Sequence, residues 1–546
     1  MIEEKLPKPS GPRTVAQAIL EQLQLWGVKR IYGVVGDAIF GLLDAIARQE
    51  NIQFIAVKHE SVAALMASAE AKCTGRIGVC AAQMGPGLAN IINGLGDAYL
   101  DRSPVLAITG QAPLNKIGTP YKQYINQQEL VQAVTGYSQL VVHPDAVINA
   151  LTQAIHTSIT MDIPSHLSIP ADIFTMPTHA QPNKPIQMSA GDIEEGQVAQ
   201  ALSRMRSAKQ PMILMGNGAR SAVEEVKQLA EVWGSGIAMG YGAAGIIPES
   251  FSYALGGLGE GGNPYLADLF KQADVVLVIG TSWWPEGITP IRTYIIQLEK
   301  SHHRLGIGIP TNCGLIGQSE EIVPQLIKGL KEHAINPMWV EEIQQCKQIW
   351  LDQNESEGNK EEFPLHPARI IRAIEKNCTP ETIITLDEGD STLWFLRNFR
   401  TICKQVVLSA QWRTMGFGLP AAMAAKFSYP HHPVLCVTGD GGLGMVLADL
   451  LTAVRYQLQI TVIVLNNGRL QMENNKMKEK GFLAEGTELT NPDFVKIAEA
   501  CGWLAFRIQS AAELEHLLQT AGDRTKPVLL EVPTAQVPYP NYPNTD

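Results

Sequence analysis

The chain has 546 residues, 45% of them hydrophobic and 18% charged, which is material for several buried cores. Its length points to about three or four domains. A net charge of −11 excludes a basic nucleic-acid surface, and the longest apolar runs are strand-length, too short to span a bilayer.

From the N-terminus onward, Met1 to Pro9 lacks the apolar core of a secretory signal, and the eight cysteines show neither paired nor metal-ligand spacing. A reduced, cytoplasmic protein with no membrane segment is therefore expected. Strand-like apolar runs then alternate with helical patterns three times over, which predicts an α/β protein of three doubly wound parallel-sheet domains. The first, residues 1–185, reads as a helix over Ala16–Trp26, strands over Arg30–Gly36 and Phe54–Glu60, and a helix over Ala63–Lys72. Cys73 and Cys80 flank a Thr-Gly turn in it and read as core. After Gln181-Pro-Asn-Lys-Pro185 comes a central domain, 186–345, with strands over Met212–Gly216, Val276–Gly280 and Thr293–Leu298. The polar run Asp352–Glu362 marks residues 346–363 as a linker, and 364–546 form the third domain with an extended, partly ordered tail from Pro533.

The third domain holds the strongest chemical signal. Val434–Gly439 reads as a strand entering Gly439-Asp-Gly-Gly-Leu-Gly444, and a helix-length interval later Ile460–Leu465 reads as a strand ending in Asn466-Asn467. Gly439-x-Gly441-x-x-Gly444 satisfies the dinucleotide fingerprint. Yet Asp440 would repel a pyrophosphate unless a cation stood between them, and the second strand lacks the acid that would hold a dinucleotide ribose. Magnesium, which takes hard oxygens and shares its shell with phosphates, fits an Asp and a carboxamide better. In the first domain, Glu60 follows an apolar strand and precedes the small-residue stretch Ser61–Glu70. There a partly desolvated carboxylate suits proton exchange, and an acid at that place also suits a helix dipole. Gly85-Pro-Gly87, Asn90 and Asn93 lie downstream.

Gly-Asp-Gly followed by Asn-Asn, together with Lys58-His-Glu60 and Gly85-Pro-Gly87, resembles the thiamine diphosphate (ThDP) enzymes, nearest to the pyruvate oxidase and acetolactate synthase group. The resemblance implies an N-terminal pyrimidine-binding, a central and a C-terminal diphosphate-binding domain. It makes Asp440, Asn467 and the main-chain carbonyl of Arg469 ligands of Mg2+, with Gly439, Gly441 and Gly442 around the diphosphate and Gly389, Asp390 and Ser391 on a second loop touching it. It further implies that Glu60 bonds the aminopyrimidine, that Pro86 and Asn90 line that ring, that Met415 wedges the cofactor into a bent shape, and that Gln123 lies near the reactive carbon. Homodimers or dimers of dimers, with sites shared between chains, are implied as well. Lys476–Leu489 and Phe494–Gly502 look like the corresponding pyruvate oxidase segment.

Several positions depart from the group. Lys122 replaces an aromatic, Glu388 stands in Asp387-Glu-Gly389, Trp412 and Arg413 replace glycines before Met415, and Ala171 replaces the acetolactate synthase lysine. FAD stays open. Gly216-Asn-Gly-Ala219 and Gly261-Gly-Asn-Pro264 suit it, whereas the ribose-binding strand end reads Ile296-Gln-Leu-Glu-Lys300 and Ser282-Trp-Trp-Pro-Glu286 is atypical. The expected function is ThDP- and Mg-dependent decarboxylation of a short 2-oxo acid, pyruvate first, with the two-carbon unit passed to an acceptor or to flavin. The alternatives are a catalytically idle homologue and a dinucleotide-dependent oxidoreductase using Gly439–Gly444.

Overall fold

A computed structural model of the chain describes residues 12–185, 195–281, 283–285, 287–288, 292–522 and 524–538. Three six-stranded sheets follow one another, and the strands within each pair in parallel. The first consists of β1 (Arg30–Gly33), β2 (Gln53–Ala56), β3 (Gly78–Ala82), β4 (Val105–Gln111), β5 (Tyr137–Leu140) and β6 (Ser165–Pro170), in the order β2-β1-β3-β4-β6-β5. The second has β7 (Pro211–Met215), β8 (Gly236–Met239), β9 (Ala254–Gly257), β10 (Val275–Ile279), β11 (Tyr294–Glu299) and β12 (Cys313–Ile316), in the order β12-β11-β10-β7-β8-β9. The third has β13 (Ile383–Leu386), β14 (Gln405–Val407), β15 (Val434–Gly439), β16 (Thr461–Asn466), β17 (Leu504–Arg507) and β18 (Val528–Pro533), in the order β14-β13-β15-β16-β18-β17. Central strands such as β10 are buried along their whole length, as parallel strands covered by helices on both faces must be.

Counted within its own domain, the third sheet repeats the order of the first. The middle sheet has the order of a dinucleotide-binding sheet, with its reversal between β7 and β10. One hydrophobic core joins the first and third domains, running from Met66 and Leu95 through Phe417 and Leu419 to Val462, while the middle domain keeps cores of its own. Among the described residues no helix is long and apolar enough to cross a membrane.

Four sequence expectations are corrected. β2 ends at Ala56, and Glu60 opens a helix, Glu60–Thr74, capped by the His59 side chain on the Ser61 amide. The expected linker is largely helix: Pro337–Gly358 is continuous, with Trp339, Ile343, Cys346, Trp350, Asn354 and Glu357 buried along one stripe and Glu357 paired to Arg397 at 2.7 Å. Residues 359–366 connect it to the next helix, Pro367–Lys376. The interval after Gly439 is not one helix but three short pieces, Asp440–Gly444, Leu447–Asp449 and Leu450–Arg455. The tail expected from Pro533 begins with the last residue of β18, and its 539–546 lie outside the described residues. Cys73 and Cys80 are buried, and desolvation pushes both thiols up to about 12, as core cysteines.

Candidate functional site

At the carboxyl end of the third sheet a cavity of about 70 Å3 is walled by Gly389, Asp390, Ser391, Met415, Gly439, Asp440, Gly441, Gly442, Asn467 and Arg469. The residues expected at the diphosphate and metal are thus brought together. β15 delivers Asp440 and β16 delivers Asn467, and the two strands are hydrogen-bonded neighbours. Asp440 Oδ1 accepts from the Gly441 amide at 3.0 Å, and Oδ2 accepts from the Gly468 amide at 2.8 Å and Asn491 Nδ2 at 2.6 Å. Burial raises the Asp440 carboxyl, and those three donors pull the other way. Asn467 Oδ1 caps the Arg469 amide at 3.1 Å.

Opposite the Gly-Asp-Gly turn, the Asp390–Asn398 helix begins after Gly389, whose φ of +138° only glycine adopts readily. Asp390 Oδ1 and Ser391 Oγ are buried there without hydrogen-bond partners. Burial pushes Asp390 up to about 7. The Ser391 hydroxyl, without a partner at a helix N-terminus that faces a glycine-rich turn, fits a diphosphate. One carboxylate, one carboxamide and a main-chain carbonyl fit magnesium shared with phosphate oxygens better than an all-protein metal cage. Among the described residues no cluster of three His, Cys, Asp or Glu offers such a cage.

Met415 is held from behind. Asp387, wholly buried, accepts from the Gly416 amide at 2.7 Å, the Gly418 amide at 3.2 Å and Thr438 Oγ1 at 3.0 Å. It thereby ties the Met415 turn to β15. Gly442 lets this happen, because a Cβ there would lie 2.7 Å from Asp387 Cγ. Desolvation pushes Asp387 up to about 6 against its hydrogen bonds. Trp412 and Arg413, which stand where the group has glycines, bind neighbouring elements, and Arg413 keeps a φ of +55° that glycine adopts more readily. Trp412 Nε1 donates to Asn93 Oδ1 at 2.8 Å, Asn93 Nδ2 donates to Thr414 Oγ1 at 3.0 Å, and Arg413 bonds Glu260 of the central domain at 2.7 Å. Glu388 does face inward: it lines the cavity, and desolvation pushes its carboxyl up to about 7.

Glu60, Pro86, Asn90 and Gln123 form a second group in the first domain. Asn90 Nδ2 donates to Glu60 Oε2 at 2.9 Å. Gly85, at φ +61°, turns the chain into the Pro86–Leu100 helix, and a Cβ on it would sit 2.5 Å from the Gln123 carbonyl. Gln123, itself at φ +59°, accepts from Gln83 Nε2 at 2.9 Å. Lys122 neither meets this group nor floats free, because it pairs with Asp37 at 2.9 Å. Every wall residue of the diphosphate cavity lies in 388–534, so within one chain Glu60 is not part of it.

A second cavity, of about 460 Å3, opens at the reversal point of the middle sheet and is walled by Gly216, Gly218, Tyr241, Gly280, Trp283, Glu299 and Arg304, with Lys72 and Asp101 of the first domain. Glu299, at the end of β11, is 2% exposed, is raised by desolvation, and leaves Oε1 without a hydrogen-bond partner. Gly261-Gly262, expected at the same ligand, do not line this cavity; a Cβ on Gly261 would lie 3.1 Å from the Leu393 backbone. Of the expected Ser282–Glu286 segment, Ser282 and Glu286 lie outside the described residues.

Sequence reading missed Asn491 and Glu260, and it placed Asn93 and Asp387 beside motifs without giving them partners. Each acts on a residue far away in the chain, which no local spacing shows.

Comparison with known proteins agrees with this geometry. The thiamine pyrophosphate enzyme N-terminal TPP binding domain matches residues 13–133, its central domain 198–326 and its C-terminal TPP binding domain 387–532. The chain is 32% identical to the putative thiamine pyrophosphate-containing protein YdaP of Bacillus subtilis, covering 95% of this chain and 91% of that one. It is 30% identical to a pyruvate oxidase of Lactiplantibacillus plantarum, over 96% of this chain and 89% of that one. To a probable acetolactate synthase large subunit of Methanocaldococcus jannaschii it is 28% identical, over 95% and 91%. The Gly439–Gly444 turn therefore lies in a TPP-binding domain and not in a dinucleotide-binding one. With all three domains matched in order, the chain belongs to the thiamine pyrophosphate enzymes, in the group of pyruvate oxidase and acetolactate synthase.

Proposed function

We propose that the chain is a magnesium-dependent ThDP enzyme that decarboxylates a short 2-oxo acid, pyruvate first, and passes the two-carbon unit to an acceptor or to FAD. The observation that carries this is the cavity where Asp440 and Asn467 meet the open N-terminus of the Asp390–Asn398 helix. Asp440, the Asn467 carboxamide oxygen and the Arg469 carbonyl would hold Mg2+, and Ser391 Oγ with the helix amides would hold the diphosphate. Bound there, ThDP supplies the electron sink that lets carbon dioxide leave. Glu60 would exchange a proton with the pyrimidine, and Asn90 orients its carboxylate through a 2.9 Å bond. Pro86 would line that ring, Met415 would support the bound cofactor, and Gln83 Nε2 holds the Gln123 side chain at 2.9 Å.

The reading includes a homodimer or a dimer of dimers, in which Glu60 of one chain completes the cavity of the other. Supporting it, Val35 and Phe40 near the first group and Met445 and Leu451 beside the Gly-rich turn are exposed apolar side chains that a second copy would cover. FAD is assigned to the middle domain. Its support is the strand order, a cavity of about 460 Å3, and Glu299 at the strand end where a ribose acid belongs, with Oε2 facing Arg304 at 3.9 Å and Oε1 without a hydrogen-bond partner.

The test is mass spectrometry of what acid denaturation releases after purification with ThDP, FAD and magnesium, paired with carbon dioxide release from pyruvate. ThDP with FAD supports an oxidase or flavin-retaining carboligase, and ThDP alone removes the flavin part. ThDP without carbon dioxide from any small 2-oxo acid points to a catalytically idle relative.

A further inference from the structure

Glu260 lies in the central domain yet reaches the third. Its carboxylate accepts from Arg413 Nη1 at 2.7 Å and pairs with Lys476 Nζ at 2.9 Å. Arg413 stands two residues before Met415, Lys476 is one helical turn beyond Met472, and both act on Glu388, which lines the diphosphate cavity, so the two cations lie just behind its walls with Glu388 and Glu260 as the acids facing them. The loop is built to keep Glu260 there. Gly259 and Gly261 on either side have φ of +97° and +81°. A Cβ on Gly259 would lie 3.1 Å from the Trp283 ring, and one on Gly261 3.1 Å from the backbone of Leu393, in the helix that opens with Asp390. Tyr241 fixes the arrangement from below: its hydroxyl donates to the Glu260 carbonyl at 2.5 Å and accepts from Arg413 Nη2 at 3.1 Å.

Stability is a weak reason for this bridge. The three side chains are 30% to 39% exposed, and ion pairs that open to solvent contribute little. Charge placement is a stronger reason. When a 2-oxo acid loses its carboxylate, the carbon–carbon bond breaks, its electron pair stays with the two-carbon fragment, and the carboxylate departs as neutral carbon dioxide. A free cation beside that carboxylate binds the starting acid more tightly than the transition state, and so slows the step.

We propose that Glu260 is a positioning residue of the decarboxylation site: it ties Arg413 and Lys476 together across the cleft and neutralises two cations that would otherwise grip the substrate carboxylate. The proposal rests on the 2-oxo acid reading given above. The experiment compares Glu260→Gln and Glu260→Asp with the unchanged chain, all loaded with ThDP and magnesium, using pyruvate as substrate and methyl acetylphosphonate as an anion of the same shape that cannot lose carbon dioxide. The Gln variant is expected to keep Tm and ThDP affinity within about twofold, to lower both KM and kcat for pyruvate, kcat by about tenfold, and to bind the phosphonate several-fold more tightly. The Asp variant restores most of kcat. Unchanged KM and phosphonate affinity, or kcat, KM and Tm worsening together, overturns the proposal. Failure of the underlying reading looks different: the unchanged chain itself releases no carbon dioxide, and the role assigned to Glu260 falls with it.

Discussion

Glu60 sits in the first turn of its helix with one carboxylate oxygen bonded to Asn90. Glu60→Gln preserves that contact but cannot exchange a proton, so ThDP should still bind in equilibrium dialysis while turnover falls by about 10³-fold. Full activity in the variant removes Glu60 from its role. Glu388 makes a different prediction. Desolvation holds its folded-state carboxyl near 7, with Arg413, Asp387, Glu260 and Lys476 as the charges around it. A raised carboxyl keeps its proton in the folded state while the unfolded chain has lost it. Its effect on stability is nil at acid pH and grows unfavourable as pH climbs from the ordinary Glu value of about 4.3 to about 7. Glu388→Gln should therefore raise Tm at pH 8 and leave it nearly unchanged at pH 4, as read by thermal denaturation of the cofactor-free protein. At this scale the sequence was informative where chemistry demands neighbours. Gly-Asp-Gly and Asn-Asn end adjacent parallel strands, so their spacing is the length of one crossover. Asp387 and Asn491 act across folds of the chain, and no local pattern announces them.

The Glu60–Thr74 and Pro86–Leu100 helices carry the two partners of that carboxylate bond, and small residues let them approach closely. A Cβ on Gly94 would lie 2.6 Å from the Ala64 carbonyl carbon, which is backbone and cannot rotate away. Gly94→Ala should cost about 1–3 kcal/mol by overpacking, visible as a lower denaturation midpoint, and should loosen the Glu60–Asn90 geometry with it. A variant as stable as the parent would mean that the helices shift apart freely. Alternation of apolar strands and helices was enough to foresee three parallel sheets, because buried parallel strands are written as short continuous apolar runs. The end of the central domain was misread for a local reason. The run Asp352–Glu362 is polar on every exposed face, and only Asn354 and Glu357, themselves polar, continue the buried stripe begun by Trp339. A buried acid answered by Arg397 looks like solvent-facing linker until its partner is known.

For the whole molecule, the separation of Glu60 from the Asp440 cavity in one chain leads to a complementation test. Chains carrying Glu60→Gln and chains carrying Asp440→Ala should each be nearly inactive, the second through loss of magnesium-dependent ThDP binding. Unfolded, mixed in equal amounts and refolded together, they should recover about a quarter of wild-type activity, since half the dimers are mixed and each mixed dimer has one intact site. No recovery would place the whole site within a single chain. The order of the first sheet, repeated in the third, is joined across a shared core by the packing of the Glu60–Thr74 helix on Gly418–Ser428. Each of the two like-ordered sheets therefore brings its own expected group, Glu60 from the first and Asp440 from the third, to a molecule in which one core holds both sheets at a fixed relation.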